Sequence, residues 1–337
     1  MMNAPAANRE PALVVVTGGA GFIGSHLVER LLRDGSRVVV IDDFSTGSRE
    51  NLRDMETNPR LQIIEGRVSE CAGLNELASQ AEFIFHLAAT VGVELVVKSA
   101  LHVLEDSFNE TQILLRAAAK NATPLLLTST SEVYGKSTKA AFAEDDDLLI
   151  GPPGQARWSY ACSKLTDEFL ALAYAREKHL PVIIARLFNT VGPRQTGRYG
   201  MVLPRFIAAA RQNEPLRVFG DGAQSRCFCL VNDVVESLVR LQHCAAARGE
   251  IFNIGGTEEI SMLELARLVV TTLGSKSQIE MVPYAQAYGP SAQGYGVISA
   301  PVFDDMRRRQ PLVEKLERLV GFKPQTSLRE IIRITAG

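Results

Sequence analysis

The stretch TGGAGFIG, residues 17–24, decides the fold, and it follows the short apolar run 13–16. Its glycines form the pattern G-x-x-G-x-x-G between that predicted strand and a helix predicted over 25–33. The first glycines permit a tight turn and a close approach of the backbone to a pyrophosphate, and the last lets the helix pack on the strand. The helix N-terminus offers unpaired N–H groups to the anion. The residues predicted to hold a dinucleotide here are Gly18, Gly21, Phe22, Ile23 and Gly24.

An acidic pair follows the second apolar run, 38–41. Asp42 stands about 20 residues after the glycine loop, where a carboxylate accepts the ribose hydroxyls of NAD and repels the 2′-phosphate of NADP. Asp43 is not followed directly by an arginine, the nearest being Arg49. The sequence therefore predicts NAD, rather than NADP, as the cofactor.

Further apolar runs alternate with helix-like stretches such as 113–120 over the first 180 or so residues. These runs are 61–64, 83–87, 125–127 and 182–187. The alternation is typical of a parallel sheet covered by helices on both faces. We predict an α/β protein with a Rossmann, doubly wound parallel sheet.

After Phe188 the composition changes, with many glycines and prolines, and a smaller C-terminal α/β substrate lobe is predicted. Its predicted elements are helices at 202–212, 231–241 and 261–273, strands at 216–219 and 227–230, and a mobile loop at 283–301. The predicted division is a disordered lead-in 1–12, an NAD-binding domain 13–189 and a nucleotide-sugar lobe 190–337, with chain crossings between the lobes.

Composition excludes several classes of function. The 337 residues are 46% hydrophobic and 22% charged, and 36 basic residues against 38 acidic ones give a net charge of −2, which argues against a nucleic-acid partner. The five cysteines show no CxxC pair and no zinc spacing, so they indicate reduced thiols and no metal. Neither a secretory h-region nor a membrane-spanning apolar stretch occurs, so we expect a cytoplasmic protein without a membrane partner.

A tyrosine and a lysine four residues apart in YACSK point to catalysis. Tyr160 and Lys164 would share one face of a helix. An ammonium near a phenol lowers its pKa from about 10, so the tyrosinate can take a proton from a sugar hydroxyl. The same spacing also occurs by chance in exposed helices, so the pair needs support from other motifs.

Hydroxyl groups supply that support at the end of the strand predicted at 125–127. The run TSTSEVYG, 128–135, places them at the carboxyl end of a parallel strand, which faces the ligand crevice. Thr130 is placed to bond a substrate hydroxyl. Glu132 is either a second acid or base or a loop carboxylate bonded to backbone N–H groups.

Taken together, these motifs resemble the extended short-chain dehydrogenase/reductases that act on nucleotide sugars. The resemblance rests on TGGAGFIGSH, HLAA (86–89), TSTSEVYG, YACSK, RLFNTVGPR (186–194) and VFGDGAQSRCF (218–228), in family order over about 13–330. It implies a permanently held NAD, a nucleotide diphosphate sugar in the C-terminal lobe and a homodimer through the helices around 100–120 and 160–178. It extends the predicted cofactor contacts to Asp43, Val68, Leu87, Ala88, Ala89, Thr128, Tyr160 and Lys164.

Family members share oxidation of the sugar at C4 and differ afterwards. The Thr-Ser-Glu at 130–132 resembles UDP-glucuronate decarboxylases, whereas dTDP-glucose dehydratases usually carry Thr-Asp-Glu and epimerases usually lack the carboxylate. The segments 157–160 and 225–228 also look most like the bacterial decarboxylases. We therefore expect NAD-dependent decarboxylation of UDP-glucuronic acid, giving UDP-4-keto-pentose or UDP-xylose. A UDP-sugar 4-epimerase, possibly for uronates, and a 4,6-dehydratase are the alternatives.

The chain departs from the family pattern at three places. The segment after HLAA reads TVGVEL (90–95), closer to epimerases than to the Pro-x-x-Tyr of decarboxylases. Arg67 stands where an Asp usually follows the third strand, which puts the adenine contact in doubt. The Asn-x-x-Gly-Thr helix motif reads with Ser107 and Glu110 in place of Asn and Gly.

Cations for the substrate's diphosphate are expected from the C-terminal lobe, because arginine forks suit phosphate oxygens. The triple run 307–309 is either one such source or a solvated face. The predicted catalytic residues are Tyr160 as base, Lys164, Thr130, Glu132 and Arg226, the last also a candidate for handling the carboxylate. The predicted substrate-binding residues are Thr130, Ser131, Glu132, Asn189, Arg194, Arg205, Arg226 and Arg307.

Overall fold

The computed structural model describes residues 10–89, 100–155, 157–196, 201–283 and 307–337. Most of the predicted lead-in and nearly all of the predicted mobile loop lie outside these ranges, as do residues 90–95. The strands are β1 Leu13–Thr17, β2 Arg37–Asp42, β3 Leu61–Glu65, β4 Phe83–His86, β5 Leu125–Thr130, β6 Val182–Leu187, β7 Thr190–Val191, β8 Leu216–Phe219, β9 Ser225–Cys227, β10 Cys229–Leu230, β11 Ile251–Ile254, β12 Glu259–Ser261 and β13 Ile279–Val282. The helices are α1 Phe22–Arg33, α2 Leu74–Gln80, α3 Ala100–Ala119, α4 Arg157–Lys178, α5 Val202–Gln212, α6 Val231–Gln242, α7 Met262–Leu273, α8 Glu314–Val320 and α9 Leu328–Ala336.

A seven-stranded parallel sheet forms the centre of the molecule, in the order β11-β6-β5-β4-β1-β2-β3. Val14 pairs with Val38 of β2 on one side and with Phe83 of β4 on the other. The order reverses direction at β1, so the crevice between β1 and β4 opens at the carboxyl ends of the strands, where ligands of such sheets bind. The predicted Rossmann, doubly wound fold is confirmed.

Apolar side chains alternate between the two faces of this sheet because successive strand residues point in opposite directions. On one face Val14 and Val16 pack in a cluster with Leu27 of α1 and Leu238 of α6. The other face packs against α3 and α4. This second cluster joins Val15, Ile84, Leu114, Leu115 and Ala171. The helices α1 and α4, which carry predicted cofactor and catalytic residues, are therefore fixed to the sheet by buried contacts.

A separate cluster forms the C-terminal lobe. It joins Leu203 and Phe206 of α5 to Leu216, Leu265 and Ile331. The chain nevertheless returns to the sheet: β11 pairs with β6, and α6 packs beside α1. Residues 231–254 therefore pack with the sheet although they follow the predicted boundary at 189/190, as a chain crossing between the lobes requires. Such a crossing brings together segments that are distant in the chain. The composition of the sequence therefore does not show which residues return to the sheet.

Candidate active site

The glycine loop brings β1, α1 and β4 close together. Gly18 has φ +70°, and a Cβ on it would lie 2.7 Å from the backbone nitrogen of Ala88. A Cβ on Gly24 would lie 2.1 Å from the carbonyl oxygen of Gly18. No side chain caps α1 at its N-cap residue, Gly21. The loop is thus a cradle that side chains would fill, and it leaves backbone N–H groups for a pyrophosphate, so the residues present fit a dinucleotide.

Asp42 at the end of β2 is buried against this loop. Its Oδ2 accepts the N–H of Ala20 at 2.8 Å, and its Oδ1 accepts the N–H of Phe44 at 2.8 Å. Burial raises the pKa of the Asp42 carboxyl, while these two N–H bonds lower it. A carboxylate oxygen has room for more than one hydrogen bond. Asp42 can therefore bind Ala20 and Phe44 and still accept the predicted ribose hydroxyls. Asp43 beside it accepts the N–H of Ser45 at 2.9 Å.

The departures from the family pattern near the adenine side have acidic or hydroxyl partners. The Nη1 of Arg67 lies 3.0 Å from Asp106 of α3, and its Nε lies 3.5 Å from Asp43. Glu110 of α3 accepts the N–H of Ser69 at 3.0 Å. Both departures therefore contribute contacts between the segment after β3 and α3. Val68, a predicted cofactor contact, follows Arg67 in this segment and is buried.

His86 at the end of β4 connects three elements beneath the crevice. Its Nδ1 lies 2.7 Å from the hydroxyl of Thr17, and its Nε2 lies 3.1 Å from the hydroxyl of Thr111 on α3. The hydroxyl of Thr128 donates to its carbonyl at 3.1 Å. Burial, together with the positive charge of Lys164, lowers the pKa of His86 to about 3. This histidine is therefore a neutral structural connector.

The backbone that follows His86 borders the glycine loop. The N–H of Ala88 donates to the hydroxyl of Thr17 at 3.2 Å, and that of Leu87 to the carbonyl of Thr17 at 3.1 Å. Ala89 comes next and is half-buried. The structure thus places the predicted cofactor residues Leu87, Ala88 and Ala89 on the β4 side of the crevice.

Tyr160 and Thr130 meet at the carboxyl end of β5. Their side chains form a hydrogen bond that lowers the pKa of the phenol. Burial has the largest effect and raises that pKa well above the usual range, and the negative charges of Glu132 and Asp167 raise it further. The backbone N–H of Glu132 donates to the Thr130 hydroxyl at 3.2 Å, which fixes the hydroxyl. Ser131, a predicted substrate contact, is buried in the 3-10 turn that follows.

Lys164, predicted to act on the phenol, has its ammonium paired with a carboxylate in this structure. Its Nζ lies 3.1 Å from Oδ2 of Asp167, and both side chains are almost fully buried. The pKa of Tyr160 is raised, mainly by burial, and Asp167, the partner of Lys164, contributes to the increase.

Glu132 faces an arginine that sequence reasoning did not single out. The Nη2 of Arg309 lies 2.6 Å from its Oε1, with both side chains largely buried. Arg308, next to it, pairs instead with Glu259. Arg307 is exposed, and its carbonyl accepts the N–H of Ser225 at 2.9 Å. Arg309 is thus the arginine of this run that turns inward, whereas Arg307 and Arg308 remain exposed.

The other predicted substrate residues are not all in one place. Arg226 is buried on β9, and its Nη1 donates to the carbonyl of Ser225 at 2.7 Å. Asn189 donates to the carbonyl of Cys227 at 2.8 Å and so ties the two segments together. Arg205 on α5 is exposed, with its guanidinium 5.6 Å from the ring centre of Phe219.

Arg194, expected among the substrate cations, belongs to a different contact in this structure. Its Nη2 lies 2.7 Å from Glu29, and its Nη1 donates to the Ser25 hydroxyl at 3.4 Å. Both partners are on α1, the helix of the glycine loop. Arg194 therefore contacts the cofactor-side helix, because the segment after β7 crosses the N-terminal part of α1, and its assignment to the substrate diphosphate stays a prediction.

A buried ionic network behind the catalytic strand was also missed. Glu168 of α4 pairs with Arg186 of β6 at 2.8 Å and accepts the hydroxyl of Ser129. Arg186 donates to the hydroxyl of Tyr134 at 3.0 Å, which donates to Asn253 of β11 at 2.7 Å. The sequence carried a signal, since a charged residue inside the apolar run 182–187 requires a buried partner. The network fixes α4 against the sheet one residue from Asp167.

Some groups are absent from the part of the chain that the structure describes. No cluster of histidine, cysteine and acidic side chains suited to a metal ion is found in these ranges. The cysteines Cys71, Cys162, Cys227, Cys229 and Cys244 are free thiols. No helix in the described ranges is both long and apolar enough to cross a membrane.

Comparison with known proteins identifies the family that carries this arrangement. Residues 14–255 match the model of the NAD dependent epimerase/dehydratase family. This chain is a member of that family. A UDP-N-acetyl-alpha-D-glucosaminuronate decarboxylase of Bacillus cytotoxicus is 38% identical over 322 residues, covering 95% of each chain. UDP-glucuronic acid decarboxylase 2 of Arabidopsis thaliana is 36% identical over 325 residues, covering 96% of this chain and 67% of the plant protein.

Solved structures of the epimerase/dehydratase family superpose over nearly the whole chain. One is a UDP-glucuronic acid 4-epimerase of Bacillus cereus in complex with UDP-glucuronic acid and NAD, with a TM-score of 0.82 and 28% identity over 96% of this chain and 98% of that one. The resemblance read from the sequence motifs is confirmed, and so is the Rossmann architecture.

Proposed function

We propose that this chain is an NAD-dependent decarboxylase of UDP-uronic acids, with UDP-glucuronic acid as the substrate. The observation that carries the proposal is the Glu132–Arg309 pair, which lies beside the Tyr160–Thr130 hydrogen bond. A decarboxylase must handle a substrate carboxylate and a proton next to the hydroxyl that is oxidised. The curated relatives named as decarboxylases support the same reading.

The chain's own residues divide the chemistry between them. Tyr160 takes the proton of the sugar's C4 hydroxyl, while Thr130 orients that hydroxyl through the bond it makes to the phenol. The glycine loop and Asp42 would hold NAD, which would supply the acceptor for the hydride from C4. The 4-keto uronate is a β-keto acid, so its C6 carboxylate leaves as CO₂ and the electron pair remains at C5. A proton then replaces the carboxylate there.

Glu132 and Arg309 form the part of the site suited to that second half. Glu132 would repel a substrate carboxylate nearby. Arg309 offsets this repulsion, because its guanidinium has five N–H donors and can bind two carboxylates at once. The pair is largely buried, so its electrostatic interactions are stronger than they would be in water. Arg226, the predicted partner of the carboxylate, keeps a role in binding the diphosphate in this proposal.

The relatives leave two uronates in view, which differ at C2. UDP-glucuronic acid carries a hydroxyl there and UDP-N-acetylglucosaminuronic acid carries an acetamido group. The substrate is settled by incubating the purified protein with each and measuring CO₂ and the mass of the nucleotide sugar. Turnover of UDP-glucuronic acid with a mass loss equal to CO₂ is the expected result. An unchanged mass with formation of UDP-galacturonic acid would instead make the protein a 4-epimerase.

A homodimer through α3 and α4 is part of the proposal. Leu101, Leu104 and Phe108 lie on one face of α3 at helical spacing, and Phe169 of α4 is 63% exposed. The two helices pack against each other on the sheet, so these side chains form one apolar surface. A second copy of the same surface would cover it around a two-fold axis.

The dimer is tested by light scattering after gel filtration of the wild-type protein and the variant Phe169→Glu. The variant should elute as a monomer, because a charge would be buried without a partner. Leu149→Glu is the matched control, since Leu149 is similarly exposed (51%) and lies outside these helices. A wild-type monomer would exclude the proposed dimer.

The cytoplasm is the proposed compartment. The five cysteines are free thiols, which a reducing compartment maintains. Fractionation of cells that express the protein, followed by immunodetection, tests this assignment.

A further inference from the structure

Lys164 is held by a carboxylate that the catalytic motifs do not include. Asp167 stands three residues further along α4, so the two side chains share one face of the helix. The Nζ of Lys164 lies 3.1 Å from Oδ2 of Asp167. The hydroxyl of Ser107 on α3 donates to the same oxygen at 2.9 Å. Asp167 is 0% exposed, so this contact is made away from water.

The Ser107 contact is specific to the way this chain departs from the family motif. The helix motif Asn-x-x-Gly-Thr begins here with Ser107 in the place of Asn. The short hydroxyl side chain reaches Asp167 across the packed α3–α4 pair. Asp167 is thus fixed from two helices, and its Oδ2 has both a positive and a neutral donor.

The second oxygen of Asp167 has no hydrogen-bond partner among the described residues and is buried. A buried carboxylate that is not fully bonded costs free energy, so its retention requires an opposite charge nearby. Lys164 is that charge. His86 of β4, whose pKa the charge of Lys164 also affects, is neutral, because burial and this charge lower its pKa to about 3. It therefore adds no charge to the balance.

We propose that Asp167 is the positioning residue of Lys164 and a counter-charge that raises the pH at which the Tyr160 phenol releases its proton. The charged groups that face Tyr160 come from three segments: Asp167 and Lys164 on α4, Glu132 after β5, and Arg309, which pairs with Glu132. Each cation is matched by an acid. The two acids offset the cations and raise the pKa of the phenol.

This balance suits a tyrosine that must work in both directions. It accepts a proton when C4 is oxidised and must donate one when the 4-keto sugar is reduced. A lysine without a counter-charge would favour the tyrosinate and so weaken the second step. The inference rests on the proposed function for this cycle, whereas the ionic arrangement itself does not depend on the substrate.

The test is a titration of Tyr160 in NAD-loaded protein, followed by ultraviolet absorbance of tyrosinate. The signal of the variant Tyr160→Phe is subtracted to isolate this tyrosine. Asp167→Asn keeps the shape and the Ser107 bond but removes the charge. Its Tyr160 midpoint should fall by roughly 0.5–1.5 pH units, as expected for loss of one nearby charge at intermediate dielectric. Asp167→Glu restores the charge and should return the midpoint toward that of the wild type.

Glu177→Gln is the matched control, because it removes an acid from an exposed position of the same helix. Its midpoint should equal that of the wild type. An unchanged midpoint in Asp167→Asn, or a fall of equal size in Glu177→Gln, would overturn the proposal.

Ser107→Ala is the second variant, used if Asp167→Asn does not fold. It removes a hydrogen bond to Asp167 without changing any charge. The Tyr160 midpoint should therefore shift by less than half of the shift expected for Asp167→Asn. A large shift there, or none with a fully retained affinity for NAD, would contradict the positioning role. Because the titration uses no sugar, its outcome is separate from the decarboxylase assay.

Discussion

Arg309 lies 2.6 Å from Glu132 and connects the chain's last described segment to the end of the catalytic strand. The two residues are 177 positions apart, yet their side chains are largely buried together. The N–H of Phe142 donates to the carbonyl of Gln310 at 2.9 Å, and the carbonyl of Phe142 accepts the N–H of Leu312 at 2.9 Å, which fixes the segment that carries Arg309. The pair therefore has a defined geometry before any substrate binds.

Arg309→Gln is expected to reduce CO₂ release by about 10²-fold or more, the cost of removing one fixed charge contact from an active site. Arg308→Gln is the matched control, because it removes the same charge one residue earlier from a pair with Glu259. It should retain activity within a few-fold. Rates are measured with UDP-glucuronic acid, beside a binding titration with UDP. Equal losses in the two variants would remove the special role of Arg309.

Glu132→Gln tests the other half of the pair. Removal of one partner from a buried ion pair leaves the other uncompensated, so we expect a strong loss of CO₂ release with UDP binding retained. Combining Glu132→Gln with Arg309→Gln should cost less than the sum of the two single losses, because the pair is already broken. Full CO₂ release by Glu132→Gln would exclude the carboxylate from the reaction.

Tyr160→Phe removes the proton acceptor and keeps the ring. Activity should fall by about 10²–10⁴-fold, the usual contribution of a general base. Thr130→Val removes the hydrogen bond that lowers the pKa of Tyr160, so the pH–rate profile should move to higher pH. Circular dichroism verifies that both variants are folded. A rate within a few-fold of wild type for Tyr160→Phe would place the base elsewhere.

Asp42→Ala is expected to weaken NAD binding about 10- to 100-fold, because hydrogen bonds to a charged group are lost. It should also lower the melting temperature without NAD, since Ala20 and Phe44 lose their acceptor. The control is Asp54→Ala, which removes an acid that is 88% exposed in its side chain. Isothermal titration calorimetry with NAD and NADP gives both affinities. NAD affinity that is equal in the two variants would contradict the ribose assignment.

The parallel sheet and the glycine loop were predictable because each depends on short, continuous stretches of sequence. Buried strands appear as short apolar runs, and the loop places its glycines at a fixed spacing. Tyr160, Lys164 and Thr130 were predictable for the same reason, since each belongs to a contiguous motif. The return of β11 to the sheet was not, because pairing with β6 is a contact between distant segments.

The ion pairs of the site could not be predicted in detail. Three consecutive arginines look equivalent in sequence, and only the direction of each side chain separates Arg309 from Arg308. Asp167 likewise looks like any acid on a helix, although it is fully buried. The pKa of Tyr160 was expected to fall because Lys164 was considered without this counter-charge.

His86 makes the free energy of unfolding depend on pH, because its pKa differs between the folded and the unfolded protein. The unfolded chain has an ordinary histidine pKa of 6.5, whereas burial lowers it to about 3 in the folded protein. Below pH 6.5 the unfolded chain therefore binds a proton that the folded protein does not. The contribution of His86 to stability is fully present above pH 6.5 and is lost as the pH falls toward 3. At pH 5 the loss is about 2 kcal/mol relative to neutral pH.

Many carboxylates also titrate below pH 6, so the contribution of His86 appears only as a difference between variants. His86→Gln retains a side chain able to bond Thr17 and Thr111 but cannot be protonated. Urea denaturation from pH 8 to pH 5 should give a free energy of unfolding that falls less steeply for this variant than for the wild type, by up to one proton's worth of slope, about 1.4 kcal/mol per pH unit. His179→Gln is the control, because His179 is exposed and should leave the slope unchanged. If His86→Gln and the wild type lose stability in parallel, the imidazole must already accept a proton in the folded state, and the neutral connector between β1, β4 and α3 would have to be abandoned.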